Sequence, residues 1–241
     1  MSRCWLFLSG KGGTGKSTLA VSLALMLSQK GYDTCCVDLN LGYRCLDLLY
    51  GLQDRVVWDV MDVMKGNCSL KDALLSHPEI SRAGLLAASQ SVSPEGLEKE
   101  KLIHLVGELK KRYAYVFLDA PSAADPGLLE ASADEVLLNL TPDDVSLRDG
   151  ERVLSLLQGR NRPLLVVNRV HPEWVRKGLF PSPQQIALNL DAPLLGFLPE
   201  DERVEEALLS HKTPAEIKGP AREALDRICR RILGENVSLK E

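Results

Sequence analysis

The segment Ser9-Gly10-Lys11-Gly12-Gly13-Thr14-Gly15-Lys16-Ser17-Thr18 constrains this chain more than any other part of it. It contains Gly10-x-x-x-x-Gly15-Lys16-Ser17, the spacing of a phosphate-binding loop. Glycines admit positive φ, so several backbone N–H groups can converge on phosphate oxygens. A helix beginning near Lys16 adds the positive end of its dipole. The Lys16 ammonium can then reach the β and γ phosphates of a nucleoside triphosphate, and the Ser17 hydroxyl can ligate Mg²⁺. Both flanks agree. Cys4-Trp5-Leu6-Phe7-Leu8 is an apolar run suited to a buried parallel strand. Leu19, Leu23, Met26 and Leu27 recur at helical spacing, and Lys30-Gly31 is a helix stop. A chance glycine-rich turn carrying two solvated lysines would lack this context.

Strand and helix patterns alternate along the rest of the chain, which indicates a parallel sheet covered on both faces. The expected fold is therefore α/β: a three-layer P-loop NTPase fold with a mostly parallel central sheet. The expected strands are Trp5–Ser9, Thr34–Val37, Gly84–Ala88, Tyr115–Leu118, Val136–Leu140, Leu164–Val167 and Leu194–Leu198. Ser93-Pro94-Glu95 reads as a helix start with a proline at its first position, and Leu102, Leu105, Val106 and Leu109 give that helix its buried stripe. Ser69-Leu70-Lys71-Asp72 starts another helix with a capping-box-like pattern. With 241 residues, 45% of them hydrophobic, the chain can fill one large domain over 1–241. No linker-like tract or internal repeat divides it. The net charge of -4 weighs against non-specific nucleic-acid binding as its main work, so DNA is not an expected partner. The six cysteines have no metal-site spacing and read as reduced thiols in the cytoplasm. No apolar run is long enough to cross a bilayer, and the first one leads straight into the glycine-rich loop rather than to a cleavage site.

Ligands of open α/β sheets bind at the carboxyl ends of the strands, so the polar residues there carry the chemistry. Asp119 follows Tyr115–Leu118, and an aspartate in that place, facing a phosphate loop, holds Mg²⁺ through water. Asp38 follows Thr34–Val37 in the same way, ahead of Leu39-Asn40-Leu41-Gly42-Tyr43. Asn168 and Arg169 follow another strand, and Pro199-Glu200-Asp201 a further one. Each alone is an ordinary turn, but together on one sheet edge they make a nucleobase pocket reasonable.

Lys11-Gly12-Gly13-Thr14-Gly15-Lys16-Ser17 resembles the deviant Walker A motif of the MinD/ParA ATPases. The segment Val37–Leu48 resembles switch I in the MinD branch of that family. Arg55–Val60, Ala87–Gln90, Ser146–Asp149 and Pro199–Asp201 continue the likeness, which reaches about Leu233. The resemblance implies an ATP-driven switch that dimerises on binding ATP, hydrolyses it to ADP and phosphate, and regulates where a cell divides. Lys11 would cross the dimer interface to phosphates bound by the other subunit. Lys16, Ser17 and Asp119 would serve phosphate and Mg²⁺, Asp38 would lie near the transferred phosphate, and Asn168, Pro199 and Asp201 would border the adenine. Asp144–Arg152 would lie near the dimer seam, where MinC-like and MinE-like partners dock. A flagellar-number regulator, a ParA-like partition ATPase and a nucleotide-gated scaffold with little turnover are the alternatives. An iron–sulfur electron carrier of the same superfamily is disfavoured, because it would need a pair of cluster-ligating cysteines per subunit and no cysteine of this chain lies near switch II.

Three departures modify the expectation. Asn40 stands where the MinD branch usually has an aspartate that positions the attacking water, and an amide is a negligible base, so hydrolysis is expected to be slow. Ala123 replaces a switch II glycine. The third departure is the end of the chain. Leu225, Ile228, Cys229, Ile232 and Leu233 read as the stripe of a last core helix, and 234–241 as a polar tail with too little apolar surface to hold a membrane. Peripheral attachment to the inner face of the membrane is expected only if the natural protein extends beyond Glu241 into an amphipathic helix.

Overall fold

A computed structural model describes residues 2–91, 96–122, 125–157 and 162–239. Its strands are β1 (Arg3–Leu8), β2 (Thr34–Asp38), β3 (Leu75–Ser76), β4 (Ala83–Leu86), β5 (Tyr115–Asp119), β6 (Glu135–Leu140), β7 (Leu164–Val170) and β8 (Leu194–Pro199). They form one sheet in the order β3-β4-β2-β5-β1-β6-β7-β8. Every pairing is parallel except β3 with β4. The expected mostly parallel sheet is present, with one strand more than the sequence reading gives. That strand, β3, is two residues long and lies at the edge, too short to show any periodicity.

Alternation along β1 explains the three layers. Cys4, Leu6 and Leu8 face one core with Cys35, Val37 and Leu118, while Trp5 and Phe7 face the other with Cys36 and Phe117. The first core is closed by the helices Val60–Lys65 and Lys99–Lys110. The second is closed by the helices Lys16–Gln29 and Pro220–Ile232. The helix Lys16–Gln29 is buried nearly all round rather than along one stripe, because Pro220–Ile232 covers its outer side. Leu225, Ile228, Cys229 and Ile232 are all buried there, as the spacing indicates for a core helix.

Local signals hold where they are short-range. Ser69 and Asp72 form a reciprocal capping box on the helix Leu70–Ala73. The helix Lys16–Gln29 ends before Gly31, whose φ is 96°. Ser93-Pro94-Glu95 and Ala123 lie outside the described residues, and the helix carrying Leu102 and Leu109 starts at Lys99. The expectation of buried thiols holds for Cys4, Cys35, Cys36 and Cys229, whereas Cys45 and Cys68 are only half-buried. Beyond the last helix, the Arg231 guanidinium donates to the carbonyls of Leu195, Val237 and Ser238, which fixes the tail against β8. No helix among the described residues is long and apolar enough to cross a membrane.

Candidate functional site

The loop between β1 and the helix Lys16–Gln29 sits at the carboxyl edge of the sheet, on the central strand where connections run to both sides. Its glycines have separate steric reasons. Gly15 is the N-cap of the helix in the left-handed region, with φ 86°. A Cβ at Gly10 would stand 2.5 Å from the backbone carbonyl carbon of Asp149, so only glycine lets the helix Asp144–Leu156 approach. The Thr14 carbonyl accepts two amide N–H bonds, from Asn139 Nδ2 at 2.9 Å and from Asn168 Nδ2 at 2.8 Å. These bonds pin the loop to β6 and β7. Asn139 is fully buried, and sequence reasoning missed it. Its signal is visible afterwards: one amide inside the apolar run Val136-Leu137-Leu138-Asn139-Leu140 has to bond something.

Asp119 is the hub of the site. It is fully buried and forms an ion pair with Lys16, which is itself 6% exposed. Its Oδ2 accepts from Ser17 Oγ at 2.6 Å and from Asn40 Nδ2 at 2.7 Å. Lys16, Ser17 and Asn40 thus all turn to one carboxylate. The pairing of β2 with β5 sets Asp38 directly beside Asp119. Asn40 Nδ2 also donates to Asp38 Oδ1 at 3.1 Å and so bridges the two carboxylates.

Asp38 is held mainly by backbone N–H groups. It is fully buried, and its oxygens accept the backbone N–H groups of Asn40, Cys45 and Leu46 at 2.9, 2.9 and 3.0 Å. With both oxygens engaged, it ties the two ends of the loop 40–46 together. Burial pushes the Asp38 carboxyl above the usual carboxylate range, and the Asp119 charge adds to this. The three N–H bonds offset only part of the rise.

The cavity over the phosphate loop is lined by Ser9, Lys16, Ser17, Asn40, Tyr43, Cys45 and Ser122 among others. Ser17 and Asp119 together offer a hydroxyl and a carboxylate, a hard oxygen set that fits Mg²⁺. Cys45 was not expected here. Its sulfur comes within 4.8 Å of ligand oxygens of Asp38 and Asp119. The spacing of cysteines along the chain could not show this, because its neighbours are aspartates from two strands. Burial and the two aspartates push the Cys45 thiol up to about 12, which keeps it protonated.

A second cavity flanks the loop. Gly15, Thr18, Asn168, Arg169, Pro199, Glu200 and Asp201 all line it, with Leu19 and Leu225 forming apolar walls. The fold thus gathers the expected base-pocket residues in one place. Asp201 also has a local task. It caps the helix Glu202–Leu209 by accepting from Arg203 N–H, and it accepts from Ala221 N–H at 3.3 Å.

Lys11 points to its own chain rather than outward. Its Nζ donates to both oxygens of Asp143, at 2.8 and 3.0 Å. Asp143 caps the helix Asp144–Leu156 through Ser146 N–H and also accepts from Thr141 Oγ1. Partial burial alone would raise the Asp143 carboxyl, but the bonds from Lys11, Thr141 and Ser146 hold it at about 2. A depressed carboxylate stabilises the fold above its unfolded value, near 3.8, and the gain is lost as pH falls towards 2. The stability gap between wild type and Asp143→Asn is therefore expected to narrow as pH drops from about 4 to about 2 in urea unfolding. A gap that stays constant over that range would show that the Asp143 charge is not what stabilises.

Residues 5–215 match the family model described as the CobQ/CobB/MinD/ParA nucleotide binding domain. Septum site-determining protein MinD from Helicobacter pylori is 36% identical over 97% of this chain and 91% of its own length. Its counterpart from Bacillus subtilis is 33% identical over 100% of this chain and 92% of its own length. The fold superposes on MinD in the MinC:MinD cell division protein complex of Aquifex aeolicus with a TM-score of 0.90, at 31% identity, over 100% of this chain and 99% of that one. The likeness at the phosphate loop thus extends over nearly the whole sequence and fold, and the chain belongs to the MinD/ParA nucleotide-binding family, alongside its septum site-determining members.

Proposed function

We propose that the chain is an ATPase that places the division site by switching between an ADP-bound monomer and an ATP-bound dimer. The observation that carries this reading is the gathering of Lys16, Ser17 and Asn40 on the buried Asp119 beside a phosphate loop. With nucleotide bound, Lys16 would turn from Asp119 to the β and γ phosphates, and Ser17 and Asp119 would hold Mg²⁺. Held there, Mg²⁺ would supply positive charge against the phosphate oxygens. Asn168, Arg169, Pro199, Glu200 and Asp201 border the adenine. Lys11 leaves Asp143 and reaches the phosphates held by the other subunit. The helix Asp144–Leu156, with Val145 and Leu156 exposed, offers the surface for a MinC-like inhibitor and a MinE-like regulator. The cytoplasmic dimer reaches the inner face of the membrane through a basic amphipathic segment beyond Glu241, if the natural protein has one.

Turnover is slow in this reading, because Asn40 orders the attacking water with an amide that carries no charge. Asn40→Asp is expected to raise single-turnover phosphate release by about tenfold or more, within the range a positioned base supplies. The same change puts a third carboxylate where an N–H now joins Asp38 and Asp119. It is therefore expected to destabilise the nucleotide-free protein by about 2 kcal/mol, with recovery on adding Mg²⁺. Phosphate release and urea unfolding, each with and without Mg²⁺, check both halves. Unchanged release would show that another group positions the water. Absence of any phosphate release from wild-type protein with Mg·ATP would overturn the ATPase reading.

A further inference from the structure

One peptide of the phosphate loop is held by side chains from the sheet rather than by the loop itself. Thr14 stands between two glycines in the left-handed region, Gly13 at φ 80° and Gly15 at φ 86°. Glycine turns through such angles at little steric cost, so the backbone alone does not fix the peptide that joins Thr14 to Gly15. The Thr14 side chain does not fix it either, because its Oγ1 is buried and meets no hydrogen-bond partner among the described residues. What holds this peptide is the Thr14 carbonyl, which accepts from Asn139 Nδ2 and Asn168 Nδ2. A carbonyl oxygen has two lone pairs, and both are used. The peptide is trans, so its C=O and N–H point in opposite directions. With the C=O drawn toward β6 and β7, the Gly15 N–H is turned away from those strands, into the loop that lines the phosphate cavity.

The two amides differ in what else they touch. Asn168 lines the base pocket, and its Oδ1 accepts Arg169 N–H at 3.0 Å. Asn139 lines neither that pocket nor the cavity over the loop, and it is fully buried within the apolar run of β6. Its Oδ1 is buried without a partner among the described residues. A half-satisfied amide in a buried strand costs stability that an apolar side chain of similar volume would not. The core alone therefore gives no reason for an asparagine at this place, whereas the Thr14 carbonyl does.

We propose that Asn139 is a positioning residue for phosphate binding. From the core, and without touching the nucleotide, it keeps the peptide between Thr14 and Gly15 from turning over and so keeps the Gly15 N–H aimed at the phosphates. The proposal rests on the ATPase reading. Turned over, the same peptide would present its carbonyl oxygen to the phosphates, replacing a donor with a repelling partial charge. Because Asn139 acts on the loop alone, its effect falls on the phosphate part of a ligand and not on the base.

The test is titration calorimetry with Mg·ADP and with magnesium pyrophosphate, which keeps the phosphates and lacks the nucleoside. Asn139→Leu removes the donor and fills the strand, and Asn139→Ser leaves a hydroxyl too short to reach the Thr14 carbonyl. Each variant is expected to bind both ligands about tenfold more weakly, with the same loss for each ligand. In urea, without ligand, Asn139→Leu is expected to be at least as stable as wild type. Unchanged affinity in both variants would overturn the proposal. So would a loss confined to Mg·ADP, which would assign Asn139 to the base. Variants too unstable to fold would assign Asn139 to the core and overturn it as well. Wild-type protein that binds neither ligand would instead overturn the ATPase reading, so the two failures are distinct.

Discussion

Lys16→Ala is expected to abolish the gain in stability that Mg·ATP gives the wild-type protein. Ligand at about 100 times Kd stabilises a one-site protein by about 2.7 kcal/mol, and nearly all of this should vanish. The measurement must compare each protein with and without nucleotide. Lys16 is the buried cation beside the fully buried Asp119, so its removal also harms the empty protein. Breaking a buried pair in this way costs about 3 kcal/mol or more. A low melting temperature for Lys16→Ala alone therefore says nothing about nucleotide. Equal nucleotide-induced shifts in the two proteins would remove Lys16 from the phosphate site.

Lys11→Ala is expected to separate binding from dimerisation. The variant should keep nucleotide affinity within about threefold, a difference under 1 kcal/mol, yet stay monomeric with ATP. The physical reason is charge. Two nucleotides that face each other across a seam bring two polyphosphates together, and a cation from each side is needed to offset the repulsion. In the free chain Lys11 is neutralised by Asp143, with roughly a third of each side chain exposed, so this pair is only weakly held. Releasing Lys11 is thus a small cost against two polyphosphates. An undiminished ATP-dependent dimer in Lys11→Ala would place the decisive contact elsewhere.

Much of the fold was legible because its signals are local. The phosphate loop, the capping box at Ser69 and the stripe of the last helix each depend on residues within one or two turns of chain. Asp119 and Asn168 were legible as polar residues near the carboxyl ends of strands, where β5 and β7 carry them. The site was hidden where function depends on which strands lie side by side. Asp38 lies directly beside Asp119 because β2 pairs with β5, and Asn40 bridges the two carboxylates. Asn139 reaches Thr14 across 125 residues of sequence, and Lys11 finds Asp143 across 132. Cys45 joins the site only because Asp38 binds its backbone N–H and draws the loop inward. None of these contacts leaves a period or a spacing in the sequence.

ATP, and not ADP, is expected to join two copies of this chain. Light scattering coupled to size exclusion measures it directly, on wild-type protein with Mg²⁺ and either ADP or a non-hydrolysable ATP analogue. With ADP the mass should equal the 26.5 kDa of one chain. With the analogue it should double. The same mass in both nucleotides, whether monomer or dimer, would show that ATP does not drive the pairing.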